Sequence, residues 1–281
     1  MPVLNPVTWL AVAAATLAIL YGLTLAALYA AQHQILFRPD PASPLTALVG
    51  PPRLAELRLT TQDGLNPLAW WLSPAEDGAV GQLPVVLYLH GNAGHIGHRA
   101  ERVRLVAAQG WGGLFVGYRG YGGNAGQISE AGLRLDAEAG LAALRQRGIA
   151  AARIVVWGES LGSGLATGLA ARHAVGALVL ETPYTSIAAI AKQRYPFAPV
   201  DLLLKDRFDS LASIAAIRAP ILVAVAGRDL VVPPAMGHTL HAAAKATAEL
   251  WVAPEAGHTD LLRFGLMEAM AAFLARHLPR D

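Results

Sequence analysis

The chain is 281 residues long, 54% hydrophobic and 15% charged, with a formal net charge of +2. That length supports one large domain with a full core plus a small extra element. Cysteine is absent, which excludes disulfides, thiolate catalysis and cysteine-ligated metals. No dense run of Lys or Arg occurs, which argues against nucleic acid as a partner.

No Asp, Glu, Lys or Arg precedes Arg38, and Val7 to Ala31 is almost wholly apolar. That stretch exceeds the ~20 residues needed to cross a bilayer, so residues 1–31 are predicted to be a transmembrane anchor. Asn5 is placed to cap the helix, with Pro6 in its first turn. Trp9 and Tyr29 are 20 residues apart, which at 1.5 Å per residue puts the rings about 30 Å apart, at the two interfaces. The alternative is a cleaved signal peptide. It fits less well, because the segment lacks a basic start, its apolar part is too long and no small-x-small site follows. Arg38, Arg53 and Arg58 after the span lean towards a cytoplasmic body, although long domains translocate regardless of such charges. No sequence feature bears on oligomeric state.

Residues 32–52 are rich in proline and read as a linker; 53–281 form the catalytic domain. Leu54 to Leu59 alternates as a strand and turns at Asp63-Gly64 towards a hairpin partner, Leu68 to Leu72. Val85 to Leu89 is continuously apolar, as a strand buried on both faces requires. A helix from about His98 to Gln109, a strand from Gly113 to Tyr118 and a long helix opening at Ser129 follow. Further strands are predicted at Ile154–Trp157, Ala177–Leu180, Ile221–Ala226 and Glu249–Val252, with helices between them. Strands alternating with helices predict a mostly parallel sheet covered on both sides, with an antiparallel leading hairpin.

Between the Ile154–Trp157 strand and the helix after it stands Gly158-Glu159-Ser160-Leu161-Gly162. Strand, tight turn and helix with serine at the apex make a nucleophile elbow. Side chains at 158 and 162 would collide with the neighbouring strand and helix, hence the glycines. A serine hydroxyl needs a general base, and the base an orienting acid. On an elbow scaffold these follow in the order acid, then histidine. Asp229 comes just after the Ile221–Ala226 strand and His258 just after Glu249–Val252, both at carboxyl ends of strands. Asp229 could instead merely cap its turn, and Glu181, ending the Ala177–Leu180 strand, is a competing acid. The oxyanion hole is assigned to the amides of Leu161 and Asn92, the latter in the loop His90-Gly91-Asn92-Ala93-Gly94, where Gly91 lets the backbone turn. His90, His95 and His98 invite a metal reading, but no His-Glu-x-x-His pattern or carboxylate set accompanies them. No metal and no cofactor is therefore expected, and His90 reads as a brace for its loop.

The chain resembles the alpha/beta-hydrolase superfamily, and especially the membrane-anchored serine hydrolases that include acyl-protein depalmitoylases and lysophospholipid lipases. The shared phrases are Leu89 to Gly94 with Ile96-Gly97-His98-Arg99, Tyr118-Arg119-Gly120-Tyr121-Gly122, and the elbow itself. Glu181-Thr182-Pro183-Tyr184-Thr185-Ser186, Arg207-Phe208-Asp209-Ser210, Gly227-Arg228-Asp229 and Gly257-His258 complete them. The match runs from about Leu54 to Leu278. Pro183 departs from the less rigid loop expected there. The resemblance implies an eight-stranded sheet and hydrolysis of a carboxylic ester or thioester through an acyl-enzyme. It leaves the substrate open, because dienelactone-hydrolase-like and prolyl-oligopeptidase-like enzymes share this core.

Substrate choice in this fold usually lies in the insertion after the sixth strand, here about Thr182 to Asp209. Its Tyr184, Tyr195 and Phe197 are candidate pocket residues for an acyl group, although a plain helical cover is the alternative. Lys205, Asp206 and Arg207 read as solvated charges. The partners expected are thus a small or lipid-like ester and a membrane. The rivals are a serine peptidase on the same fold and a non-catalytic tethered binding module, while a dehalogenase would want Asp in place of Ser160.

Overall fold

The computed structural model describes residues 5–46, 50–75 and 83–278. Residues 1–4 of the expected anchor, 47–49 of the expected linker and 279–281 at the chain end lie outside the described residues. The main sheet contains β1 (Leu54–Arg58), β2 (Leu68–Leu72), β3 (Val85–Leu89), β4 (Gly112–Val116), β5 (Ile154–Glu159), β6 (Ala177–Glu181), β7 (Ile221–Ala226) and β8 (Ala248–Ala253). Their order across the eight-stranded sheet is β8-β7-β6-β5-β3-β4-β2-β1. Strands β3 to β8 pair in parallel, whereas β2 runs antiparallel to both β1 and β4.

Successive residues on a strand face opposite sides, and the core divides accordingly. Leu87, Leu89, Val116 and Val156 pack with α3 (Glu130–Gln146), α4 (Leu161–Arg172) and α8 (Pro234–Ala243). Val86, Tyr88, Phe115 and Trp157 pack on the other side with α2 (Ala100–Ala108) and α9 (Leu266–His277). Both faces are covered, so the strands are apolar throughout rather than alternating.

The N-terminal helix α1 runs unbroken from Pro6 to Leu36, and the Asn5 side chain accepts the Val7 amide at 2.8 Å. It is long and apolar enough to cross a membrane. The helix passes the expected boundary at Ala31, and the chain after it is docked rather than free. Phe37 is buried with its ring edge-on to Phe208, and Arg38–Pro39 pairs in parallel with Ala93–Gly94. Burying Phe37 is what holds the segment against the body.

Thr182 opens the insertion at φ 46, a strained conformation for a β-branched residue, immediately before Pro183. Three short helices follow: α5 (Ile187–Arg194), α6 (Val200–Leu203) and α7 (Ser210–Ile214). Ser186 caps α5 and Asp209 caps α7. Asp206 is not the solvated charge expected. It is buried and its carboxylate accepts the Glu130 amide at 2.7 Å, where the N-terminal end of α3 favours an anion. Glu130 in turn accepts the amides of Arg207 and Phe208, tying the insertion to α3.

Candidate active site

Ser160 stands where β5 becomes α4, at φ 48 and ψ −115. Such a conformation costs on the order of 1–3 kcal/mol and is held by its neighbours. The Ser160 amide donates to the Glu181 carbonyl at 2.9 Å, and the Ser160 carbonyl accepts the Ser163 amide at 2.8 Å. The flanking glycines are needed because the elbow is close-packed. A Cβ on Gly158 would lie 2.7 Å from Ala166 Cβ, and one on Gly162 would strike the Leu89 carbonyl and lie 2.7 Å from that of His90.

His258 Nε2 lies 2.8 Å from Ser160 Oγ, and His258 Nδ1 lies 2.7 Å from Asp229 Oδ2. The other oxygen of Asp229 accepts the amides of Val231 and Val232, each at 2.8 Å. Its carboxylate is nearly inaccessible, so it has fixed partners on both oxygens. The three side chains come from the ends of β5, β7 and β8, brought together because those strands run parallel. This arrangement can move a proton from hydroxyl to imidazole while Asp229 holds the ring.

No family model matches the chain. An uncharacterized protein of Mycobacterium tuberculosis is 38% identical over 83% of this chain and 82% of its own. The alpha/beta hydrolase domain-containing protein WAV2 of Arabidopsis thaliana is 32% identical over 68% of this chain and 67% of its own. The chain belongs to the alpha/beta-hydrolase family. The lysophosphatidylserine lipase ABHD12 of Danio rerio is 33% identical over 65% of this chain, but the match spans 56% of that lipase. Among solved structures, an esterase of Pyrococcus furiosus superposes with a TM-score of 0.68 at 20% identity, over 86% of this chain and all of that one. At that identity the likeness concerns the fold.

Beside Ser160 this hydrolase has a cavity of about 580 Å³, lined also by Leu161, Asn92 and His258. Leu161 opens α4, whose first amides are unpaired within the helix and favour negative charge. Asn92 is gripped from several directions: its carbonyl accepts the Arg38 amide and the Tyr121 hydroxyl, and its side chain donates to the Leu36 carbonyl at 2.9 Å. Gly91 packs against the elbow, where a Cβ would lie 3.2 Å from Glu159 and 3.5 Å from Ser160 Cβ. His90 is fully buried between Tyr118 and Tyr121, its Nδ1 2.7 Å from the Gly91 carbonyl. Burial first, then the Arg99 charge, lower its pKa to about 3, so the ring is neutral and Nδ1–H is the donor.

Of the expected pocket residues, Tyr184 and Tyr195 line this cavity and Phe197 does not. Phe197 is 51% exposed, and its ring stands edge-on to Tyr195. Residues of α1 were not foreseen in the cavity: Leu28, Tyr29, Gln32, Ile35 and Leu36 form one wall. They share one helix face by spacing. The one sequence signal for them was Gln32, a polar side chain near the end of an apolar helix.

Below the elbow lies a buried charge cluster. Arg99 donates to both oxygens of Glu159 at 2.8 and 2.9 Å, and Tyr88 donates its hydroxyl to the same carboxylate. Burial alone would push the Glu159 carboxyl up, but Arg102 and Arg99 outweigh it and hold it down to about 2. Glu181 is bound by Arg102 at 2.6 Å and by the Trp157 indole at 3.0 Å. Those bonds commit the rival acid to the cluster, while His258 faces Asp229. The Tyr118–Gly122 phrase is likewise structural, with Arg119 paired to Asp136 at 2.9 Å and to Asp63 at 2.6 Å.

Asp40, His95 and His98 put possible metal-ligating atoms within 4.8 Å of one another. The Gly97 amide donates to His95 Nδ1 at 3.0 Å, which places the proton of the neutral ring on Nε2. That nitrogen, 3.7 Å from the Asp40 carboxylate and not hydrogen-bonded to it, carries the proton and in this tautomer offers no lone pair to a metal.

Proposed function

We propose that this ester-cleaving alpha/beta hydrolase acts, at a membrane, on the ester or thioester of a single acyl chain through Ser160, His258 and Asp229. His258 Nε2 takes the Ser160 proton as Oγ attacks the carbonyl carbon, and Asp229 orients the imidazole and stabilises its charged form. The amides of Leu161 and Asn92 receive the developing oxyanion. Collapse of the tetrahedral adduct breaks the bond to the leaving alcohol or thiol, which takes the proton from His258. Water, deprotonated by His258, then attacks the acyl-enzyme and releases the carboxylic acid and free Ser160.

The observation that carries this reading is the hydrogen-bonded line from Ser160 through His258 to Asp229, at 2.8 and 2.7 Å. The cavity suits an acyl chain. Its volume of about 580 Å³ lies within the ~300–1,000 Å³ range of small-molecule sites and has room for one long chain. The name of the lysophosphatidylserine lipase supports a lipid ester. Helix α1 is taken as a retained single-pass anchor, and Arg38, Arg53 and Arg58 after it favour a cytoplasmic body.

The test is Ser160→Ala in the full chain. Hydrolysis of p-nitrophenyl esters falls by about 10⁴-fold or more, and covalent labelling by a fluorophosphonate disappears. Retained hydrolysis would overturn the assignment, and a folded wild type that takes no label would indicate a binding module.

A further inference from the structure

Helix α1 spans 31 residues, from Pro6 to Leu36. A bilayer's hydrocarbon takes about 20, so the last turns, at and beyond the Tyr29 interface, are left over, and these wall the cavity. The docking is specific. Gln32 donates to the Leu203 carbonyl at 3.2 Å and accepts the Lys205 amide at 2.9 Å. The Lys205 ammonium sits 4.4 Å over the Tyr29 ring, and His33 Nε2 lies 2.6 Å from the Ile128 carbonyl. Higher up, the Tyr21 hydroxyl donates to the Phe197 carbonyl at 2.8 Å. Counting about 20 residues from Pro6 places Tyr21 within the hydrocarbon span. The insertion therefore climbs α1 to the level of lipid chains.

The surface around the cavity agrees with that depth. Phe197 and Leu202 of the insertion are 51% and 84% exposed, while Leu230 and Val231, which line the cavity, are 96% and 60% exposed. Exposed apolar side chains clustered beside a membrane-crossing helix are costly in water and favourable among acyl chains.

We propose that α1 is a specificity wall as well as an anchor: an acyl chain passes from the leaflet into the cavity between α1 and the insertion, and Leu28 and Ile35 set the chain accepted. This rests on the ester-hydrolase reading of Ser160. The same helix reaches the reacting centre, because its last carbonyl, that of Leu36, holds the Asn92 side chain.

The full chain in vesicles of diether phosphatidylcholine, which offers no carboxylic ester to cleave, tests the proposal. Leu28→Trp and Ile35→Trp narrow the wall. The ratio of kcat/KM for 4-methylumbelliferyl palmitate to that for the acetate falls about tenfold in each. An unchanged ratio, whether both activities persist or fall together, overturns the wall. A second measurement does not depend on these variants folding. A fluorophosphonate bearing a long alkyl chain tipped with a diazirine labels wild-type Ser160 and, on irradiation, crosslinks to the peptide containing Leu28 to Leu36. Crosslinks confined to other peptides overturn the proposal. Failure to label Ser160 at all is a failure of the hydrolase reading instead.

Discussion

Arg99 binds Glu159, the residue immediately before Ser160, through two hydrogen bonds of 2.8 and 2.9 Å, and the same guanidinium donates to the Ala93 carbonyl at 3.3 Å. Ala93 follows Asn92, so one side chain ties together the two segments whose amides are assigned to the oxyanion. Arg99→Met is expected to lower kcat for a p-nitrophenyl ester by about 10²-fold, the scale of losing one oxyanion donor, with KM within about threefold. Arg99→Lys does not restore it, since an ammonium cannot make the fork. Steady-state kinetics on folded protein decide. Full rescue by lysine would reduce the role of Arg99 to its charge.

Asp229→Asn separates geometry from protonation. The Asn carbonyl oxygen can keep the Val231 and Val232 amides, at 2.8 Å in the native chain. Its amide nitrogen then faces His258 Nδ1 and donates to it, which moves the ring proton to Nε2. That nitrogen can no longer take the Ser160 proton. Turnover is expected to fall by about 10³–10⁴-fold with little loss of thermal stability. A change below tenfold would remove Asp229 from the proton path.

Glu181→Gln checks the rival acid. Burial pushes the Glu181 carboxyl up, and Arg102 counters by drawing it into the cluster. The variant leaves Arg102 short of one partner in a buried site, so Tm falls. Turnover stays within about threefold, because no bond to His258 is lost. A drop of 10³-fold at unchanged Tm would reverse the two acids.

His90 makes stability depend on pH. Its pKa is about 3 in the fold against ~6.5 in an unfolded chain. Between those values the unfolded state binds one more proton, so stability rises with pH. The contribution is complete above pH ~6.5 and is lost on acidification, with a slope of up to about 1.4 kcal/mol per pH unit. Thermal melts of detergent-solubilised protein from pH 8 to 4.5 should show the decline. His90→Gln, which keeps a donor for the Gly91 carbonyl, should flatten it. An unchanged slope would place the acid sensitivity elsewhere.

Much of this architecture was legible because it is written in short-range pattern. A five-residue apolar run such as Val85–Leu89, bounded by Pro84 and His90-Gly91 and too short for a helix, reads as a strand buried on both faces, and Gly158 and Gly162 flank a serine where no Cβ fits. Where the pattern predicts a strand over Gly113–Tyr118, β4 covers Gly112–Val116, because the chain then turns through a glycine-rich loop. Phe197 was misplaced for a related reason. Sequence puts an aromatic ring in the insertion, but only packing decides whether it faces the cavity or outwards.

Sequence by itself determined the fold class, the elbow and the order of serine, acid and histidine, because strand ends in a parallel sheet leave few places for them. Tertiary structure decided which acid meets His258, because Asp229 and Glu181 both end strands and only Arg102 and Trp157 draw Glu181 away. It also decided where the end of the N-terminal helix packs. An all-round apolar helix has no face that periodicity can single out, so the wall formed by Leu28, Ile35 and Leu36 emerges only once the insertion has folded against it.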